Sequence, residues 1–295
     1  MPDIAFHPND MHRLSRMLFA FRRLSTDPSS GERRTRRSGQ GYEFLDYRPY
    51  SRGDDVRAID WNVYGRLRQL FIRVRESPQQ ASIVFLVDAS RSMGFGVPRS
   101  KLQQAQLIAC GLSFMAMRSG ERVFATAFSD TILRLVGPQS GVQQHHRVVR
   151  ALADTPEARS SNMLQAVHAL ASQHRNRGMV VILSDFLNVS RVDEVLRVIS
   201  SAGGRALLVQ VLDDRDRAGG LTQGLVQLRD SETGEMRQAW ITPQTIRDYK
   251  DRFEIAREQL RSRCERKGHF YVLADTTEDY VEVVSRAMRT GAVKR

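Results

Sequence analysis

The sequence contains only two cysteines, Cys110 and Cys264, which are far apart and have no C-x-x-C spacing. Two cysteines can neither build a disulfide framework nor supply a structural zinc site without several histidines. Cys110 lies in the apolar stretch L-I-A-C-G-L, which predicts a buried thiol. We therefore expect a protein of a reducing compartment.

Long apolar runs are also absent. The longest, at residues 83–87 and 180–183, have the length of a strand, whereas a helix that crosses a bilayer needs about 20 residues. The amino terminus shows neither the apolar core nor the cleavage site of a secretory signal. Both absences predict a cytoplasmic protein with no membrane span.

Nucleotide-binding loops and a phosphatase motif are missing as well. The ATPase loop G-x-x-x-x-G-K-[ST] does not occur, and the G-x-G that begins at Gly39 has Phe44 where a dinucleotide fingerprint needs its third glycine. A phosphatase of the haloacid dehalogenase type needs a second aspartate two residues after Asp88, where this chain has Ser90. Any nucleotide chemistry is therefore expected to belong to a partner.

Lysine is scarce although the chain is strongly basic. Only four of the 45 basic residues are lysine, and the net charge is +12. Such a charge attracts acidic proteins, nucleic acid or anionic lipid, and does not choose among them. A nucleic-acid-binding protein is therefore an alternative function. Against it, the arginines are dispersed and no zinc-finger, RNA-recognition or aromatic-interleaved basic pattern occurs.

The sequence does contain an alternation of apolar and amphipathic stretches. Strands are predicted at 83–87, 122–128, 132–136, 179–183, 206–212 and 269–273, and helices at 101–118, 142–153, 163–173, 192–200, 243–266 and 278–290. A hairpin is predicted between residues 225 and 241. This alternation predicts an α/β fold with a doubly wound, mostly parallel sheet. We expect it to span residues 79–295, after a basic helix and linker (1–38) and a segment (39–78) packed on the core.

Polar side chains follow two of the predicted buried strands. Asp88 ends the first in V-F-L-V-D-A-S-R-S-M-G, with Ser90 and Ser92 at alternate positions, and Asp185 follows the strand V-V-I-L-S. Carboxyl ends of strands form the ligand-binding edge of a doubly wound sheet. Ser161 or Ser160 either caps the next helix or offers a hydroxyl to the same ion, and Ser161 is the better placed. This oxygen set predicts a site for Mg²⁺, or for Mn²⁺ or Ca²⁺. The alternative is that Asp88 and Ser90 only bond the loop backbone.

These three segments together resemble the metal-ion-dependent adhesion site of von Willebrand factor type A domains. That pattern is D-x-S-x-S, a later threonine, and an aspartate after a buried strand. The first part matches fully, Ser161 stands for the threonine, and Asp185 stands where the family often has T-D-G. The resemblance implies a von Willebrand factor type A-like fold and a cation used for protein binding rather than for catalysis.

The segment before the first strand resembles a second signature. Residues 39–66 contain E-F, R-x-Y, G-D-D-x-R-x-I-D-W and a downstream arginine, which is similar to a bacterial family called domain of unknown function 58 (DUF58). The resemblance implies an adaptor or chaperone-like partner of MoxR-type AAA+ ATPases. Many members of that family have amino-terminal membrane spans, which this sequence lacks.

The charged residues of this segment allow two interpretations. They can form a network that pins an irregular segment to the sheet, with Trp61 buried as its anchor. Alternatively, they form a surface that recognises a protein partner. No histidine or cysteine accompanies the carboxylates, so no catalytic residues are predicted. The candidates for partner contact are Arg48, Asp54, Asp55, Arg57, Asp60 and Trp61.

Two further groups of titratable residues need an interpretation. His145 and His146 are adjacent on a predicted helix, so they point in different directions and are predicted to be solvated surface residues. Asp213, Asp214 and Asp216 follow a predicted strand. They predict a charged loop at the same edge of the sheet as Asp88.

Overall fold

The computed structural model describes residues 8–15, 44–50, 59–75, 82–129, 132–133, 135–155, 162–173, 178–187, 191–217, 221–230 and 234–293. The strands are β1 (Phe44–Pro49), β2 (Phe71–Arg75), β3 (Ser82–Asp88), β4 (Arg122–Phe128), β5 (Val136–Gln139), β6 (Met179–Ser184), β7 (Arg205–Leu212), β8 (Gly224–Arg229), β9 (Met236–Ile241) and β10 (Phe270–Asp275). The helices are α1 (Pro8–Ser15), α2 (Trp61–Leu67), α3 (Lys101–Arg118), α4 (His145–Ala153), α5 (Met163–Gln173), α6 (Val192–Ser201), α7 (Pro243–Arg266) and α8 (Tyr280–Val293).

The chain divides into two compact units. The smaller unit covers residues 27–80, and the larger covers residues 1–26 and 81–295. In the smaller unit, β1 and β2 form an antiparallel pair, and α2 lies between them in the chain. No helix among the described residues has both the length and the apolar character needed to cross a bilayer.

The larger unit is built on a six-stranded sheet with the order β10-β7-β6-β3-β4-β5. All neighbouring strands are parallel except β5, which is antiparallel to β4 at one edge. The predicted doubly wound, mostly parallel fold is therefore confirmed. Strand β3 begins the winding and has β4 on one side and β6 on the other. The direction of the connections reverses between β3 and β6, which is where this class of sheet opens a crevice for ligands.

Two hydrophobic clusters cover the two faces of the sheet. Side chains of Ile83, Phe85 and Val87 belong to the cluster formed with α3, α4 and α8. Val84 and Leu86 belong to the opposite cluster, formed with α5, α6 and α7. Strand β3 is thus apolar on both faces, as expected for a central strand of a parallel sheet. Its polar residue Asp88 comes only at the carboxyl end.

Two local predictions are wrong. The strand predicted at 132–136 lies at Val136–Gln139, and Ile132 forms only an isolated bridge with Phe128. His145 is buried rather than solvated, because α4 turns its His145, Val148 and Leu152 side toward α3. The Nε2 atom of His145 lies 2.8 Å from the carbonyl oxygen of Cys110. His146, in contrast, is exposed as predicted.

Candidate functional site

Asp88 is held from both sides at the end of β3. Its side chain is buried, its Oδ1 atom accepts a hydrogen bond from the Ser90 amide at 2.9 Å, and its Oδ2 atom accepts one from the Ser184 hydroxyl at 2.7 Å. Since Val87 pairs with Leu183, Asp88 and Ser184 are the next residues along neighbouring strands. The parallel register therefore brings these two side chains together.

The two serines of D-A-S-R-S lie directly beyond Asp88. Ser90 is buried, and the hydroxyl oxygens of Ser90 and Ser92 are 3.1 Å apart. Ser92 lies in a short 3-10 helix, Arg91–Gly94, which Met93 anchors in the core. The structure therefore gathers the carboxylate and both hydroxyls of the motif at one place.

Asp185 follows β6 and lies at the same edge of the sheet. It is buried, its Oδ1 atom accepts a hydrogen bond from the Leu187 amide at 3.3 Å, and its carbonyl oxygen accepts one from Gln210 at 2.8 Å. The next residue, Phe186, is buried with a φ of 50° in the left-handed region, which costs about 1 kcal/mol for a residue with a Cβ atom. A turn of this shape fixes the position of the Asp185 backbone.

The two carboxylates interact electrostatically. Burial raises the pKa of Asp88, and repulsion from Asp185 raises it further, while the hydrogen bonds from Ser184 and Ser90 act in the opposite direction. The net effect is a raised pKa. A positive charge nearby favours the ionised form of such a pair.

Lys101 is the residue of this site that the sequence interpretation missed. It is the first residue of α3, its side chain is fully buried, and its Nζ atom lies 2.9 Å from Asp185 Oδ2 and 3.0 Å from Asp216 Oδ1. Burial alone would lower the pKa of Lys101, but the two carboxylates outweigh it, so the pKa is raised and the ammonium stays charged. One signal could have found it: a lysine at a helix start in a chain whose basic residues are nearly all arginine.

The acidic cluster after β7 lies at the same edge, as predicted. Asp213 is buried, and its Oδ2 atom accepts hydrogen bonds from the Val97 amide at 3.1 Å and from the Thr276 hydroxyl at 2.8 Å. Burial tends to raise the pKa of Asp213, but these bonds outweigh it and the pKa is lowered. Asp216 accepts a hydrogen bond from the Asp213 amide at 2.9 Å and holds Lys101. Asp213 thus orders the loop after the D-A-S-R-S motif.

The remaining predicted residues separate into two groups. Ser161, Asp54, Asp55 and Arg57 lie outside the described residues. Arg48 lies in β1, where it is paired with Ile72. Asp60 is buried and caps α2, since its Oδ1 atom accepts hydrogen bonds from the amides of residues 62 and 63.

Trp61 is exposed, which corrects one interpretation of its segment. The side chain is 63% exposed and contacts the ring of Tyr64 edge-on, with the ring centroids 6.1 Å apart. The idea that Trp61 anchors the segment by burial is therefore wrong. The other interpretation of this segment, a surface that recognises a protein partner, stays a prediction.

The donors at the sheet edge suit a hard divalent cation. Carboxylates of Asp88 and Asp185 and hydroxyls of Ser90 and Ser92 provide oxygen only, which is the donor type that Mg²⁺ prefers. Among the described residues, no three acidic, histidine or cysteine side chains gather into a group that could hold a metal ion. The candidate ligands are two carboxylates and two hydroxyls, and these oxygen donors suit a divalent ion.

The fold and this edge define an α/β protein with a polar site at the switch point of a doubly wound sheet. Residues 46–257 match the family described as protein of unknown function DUF58, and the chain belongs to that family. Uncharacterized proteins of Mycobacterium bovis and Mycobacterium tuberculosis are each 33% identical to it over 215 residues, which are 71% of this chain and 67% of theirs. An uncharacterized protein of Mycobacterium avium is 30% identical over 159 residues, which are 52% of this chain and 92% of that protein.

Similar solved structures include two proteins of Bacteroides. The conserved hypothetical protein BatB from Bacteroides thetaiotaomicron is 11% identical with a TM-score of 0.43, covering 72% of this chain and 100% of that one. An aerotolerance-related membrane protein from Bacteroides fragilis, solved with multiple mutations to serine, is 12% identical with a TM-score of 0.41, covering 71% and 98%. At these TM-scores the likeness carries no inference about function.

Proposed function

We propose that this chain is a non-catalytic protein-binding module whose contact with its partner depends on a divalent cation. One observation supports this most directly. Asp88 and Asp185 are buried at the ends of neighbouring strands, close enough to repel each other, and the hydroxyls of Ser90 and Ser92 lie beside Asp88. Buried like charges are costly unless a positive charge or a proton relieves them, and Lys101 supplies part of that positive charge at Asp185.

The residues proposed to hold the ion are Asp88, Ser90, Ser92, Ser161 and Asp185, directly or through water. Mg²⁺ is the preferred ion, with Mn²⁺ or Ca²⁺ as alternatives. When bound, the ion offers one open coordination position to a carboxylate of the partner. Affinity then depends on the ion and on the fit between the two protein surfaces.

The buried histidines support a binding role rather than a catalytic one. The described residues bury two, His145 and His269. His145 bonds the carbonyl of Cys110, and His269 accepts a hydrogen bond from the Ala206 amide. Both histidines therefore connect elements of the fold rather than serving as a general base beside Asp88.

The proposed partner is a MoxR-type AAA+ ATPase or its client, which supplies the acidic residue. This part rests on membership of the DUF58 family and on the association that the resemblance implies. The net charge of +12 favours an acidic partner surface. In this arrangement the chain is an adaptor or chaperone-like partner, and nucleotide chemistry belongs to the ATPase.

Calorimetry tests the metal site. Mg²⁺ is titrated into protein stripped with EDTA, using the wild type, Asp88→Ala and a control, Asp193→Ala. Asp193 is a surface aspartate whose carboxylate lies 2.6 Å from Lys267, so the control removes the same charge elsewhere. Binding is expected in the wild type and the control and not in Asp88→Ala. Equal binding by Asp88→Ala would show that Asp88 is not a ligand of the ion.

A pull-down from the native host tests the partner. The partner is expected to be retained in Mg²⁺ and released by EDTA. The alternative function, nucleic-acid binding, is tested by measuring the affinity for duplex DNA across a salt series. Phosphate contacts release counterions, so such binding weakens steeply as the salt concentration rises. A steep salt dependence combined with indifference to EDTA would favour nucleic-acid binding instead.

A further inference from the structure

Lys101 joins three elements at the edge of the sheet. It begins α3, it contacts Asp185 after β6, and it contacts Asp216 in the short 3-10 helix Asp214–Arg217 after β7. Tyr249 of α7 fixes the same 3-10 helix, since its hydroxyl donates a hydrogen bond to the Asp216 carbonyl at 2.8 Å. The ammonium is therefore held in place beside a proposed metal ligand.

Stability alone gives little reason to bury this lysine. A buried ion pair gains Coulomb energy but must remove its charges from water, and replacing all of its members together by apolar side chains is often neutral or stabilising. Arginine, the usual basic residue of this chain, would place a wide planar fork where a compact ammonium fits. The position of the charge, rather than its contribution to folding, is the feature that needs an explanation.

The charges around the site can be counted. In their ionised forms, Asp88, Asp185 and Asp216 outnumber Lys101 by two, so one divalent cation just neutralises the four side chains. Asp213 is balanced separately by Arg215, whose Nε atom lies 3.8 Å from Asp213 Oδ1. Without Lys101, the same group would keep a negative charge after one divalent ion had bound, and would repel the carboxylate of a partner.

We infer that Lys101 is a built-in cation that competes with the divalent ion for Asp185 and thereby sets the affinity of the site. The inference rests on the proposed function, because it assigns a role to Lys101 at that metal site. Lys101 weakens divalent binding while the partner is absent. It also leaves the loaded site neutral, so that an acidic partner residue is accepted.

A purely structural role for Lys101 leads to the opposite result. If Lys101 only tied α3 to the loops, its loss would loosen Asp185 and leave Mg²⁺ binding equal or weaker. If it competes with the ion, its loss strengthens Mg²⁺ binding. A unit charge a few ångströms away in a partly desolvated site is expected to change the affinity by about tenfold or more.

The experiment is calorimetric titration of EDTA-stripped protein with Mg²⁺. Lys101→Met removes the charge and keeps the length of the side chain. Lys267→Met is the matched control, since Lys267 pairs with Asp193 on the surface and its loss changes the net charge equally. Lys101→Met is expected to bind Mg²⁺ about tenfold or more tightly than wild type. The control is expected to change affinity by less than about twofold, because salt screens a distant exposed charge.

The outcomes separate this inference from the proposed function. Tighter binding by Lys101→Met supports the inference, even if wild type itself binds no Mg²⁺, a result that would overturn the proposed function alone. Wild-type binding with equal or weaker binding by Lys101→Met overturns the inference and leaves the proposed function standing. Absence of binding in both overturns both. If Lys101→Met fails to fold by circular dichroism, Lys101→Gln gives the same comparison and still donates a hydrogen bond.

Discussion

The Ser184 hydroxyl donates a 2.7 Å hydrogen bond to Asp88 Oδ2 and so joins the ends of β6 and β3. The same hydroxyl accepts a hydrogen bond from the Phe186 amide at 3.1 Å, which fixes the turn that carries Asp185. One side chain therefore positions both carboxylates of the candidate site. Ser184 is a positioning residue, and it was not among the predicted ligands.

Ser184→Ala is expected to lower the free energy of unfolding by about 1–3 kcal/mol, because a buried carboxylate and a buried amide each lose a partner. Urea denaturation in EDTA measures the change. Ser113→Ala is the control, since Ser113 is equally buried but donates only to the Cys110 carbonyl of its own helix. That control is expected to cost less than about 1 kcal/mol. Equal losses in the two variants would show that Ser184 has no special role.

Asp88→Asn is expected to stabilise the metal-free protein. Burial raises the pKa of Asp88, which means that the buried charge costs free energy. Asparagine removes that charge, its oxygen still accepts from the Ser90 amide, and its NH2 group donates to the Ser184 hydroxyl oxygen, which can accept as well as donate. A gain of about 1 kcal/mol would raise the Tm by roughly 2–4 °C for a domain of this size.

Thermal unfolding in EDTA measures the stability of the metal-free protein, and a second measurement in Mg²⁺ gives the stability gained from the ion. Wild type should gain Tm from Mg²⁺ by mass action, and Asp88→Asn should gain none. Asp193→Asn, a change of the same kind on the surface, should respond to Mg²⁺ as wild type does. A lower Tm for Asp88→Asn in EDTA would mean that the carboxylate stabilises the loop even without an ion.

Local signals in the sequence predicted most of the fold. Helix α3 begins and ends at the predicted residues because Ser100 forms a capping box with Gln103 and the chain turns at Gly120. Helix α7 begins at Pro243, as predicted, because Thr242 caps it and proline suits the first turn of a helix. Such boundaries depend on neighbouring residues alone.

Long-range contacts explain what the sequence could not predict. In the sequence, Lys101 is only one of four lysines, whereas its role depends on Asp185 and Asp216, which are 84 and 115 residues away in the chain. His145 reads as polar, yet its ring packs edge-on against Phe114, with the ring centroids 5.4 Å apart. The convergence of Asp88 with the Asp185 segment was predictable because parallel strands end at one edge of a sheet.

Trp61→Ala is expected to reduce retention of the partner without destabilising the fold. The side chain is 63% exposed, so its loss should change the free energy of unfolding by no more than about 0.5 kcal/mol. An exposed tryptophan that a partner covers contributes strongly to binding. Pull-down from host lysate in Mg²⁺, combined with urea denaturation, measures both effects.

Trp240→Ala is the matched control for that comparison. Trp240 lies in β9 and is 70% exposed, so it tests whether loss of any surface tryptophan has the same effect. Retention should fall for Trp61→Ala and persist for Trp240→Ala. If both variants retain the partner like wild type, Trp61 is not part of the recognition surface.

The stability of the protein is expected to fall on acidification below about pH 6.5 because of His269. Burial lowers the pKa of His269 from its ordinary value of 6.5, and the positive charges of Lys267 and Arg205 lower it further. Its Nδ1 atom accepts a hydrogen bond from the Ala206 amide at 3.0 Å, which requires the unprotonated atom. Below pH 6.5 the unfolded chain therefore binds a proton at His269 more readily than the folded protein does. Stability is lost as the pH falls from the pKa of His269 in the unfolded chain toward its lower pKa in the folded protein.

His269→Asn is expected to reduce this pH dependence, because the amide oxygen can accept from Ala206 and does not titrate. Urea denaturation at pH 7.5 and pH 5.5 measures the difference in unfolding free energy. Part of the dependence should remain, since burial also lowers the pKa of His145. The exposed His168 of α5, replaced by asparagine, serves as control and should leave the wild-type dependence intact. An unchanged pH dependence in His269→Asn would show that the buried imidazole does not resist the proton, and the neutral tautomer inferred from the Ala206 contact would be wrong.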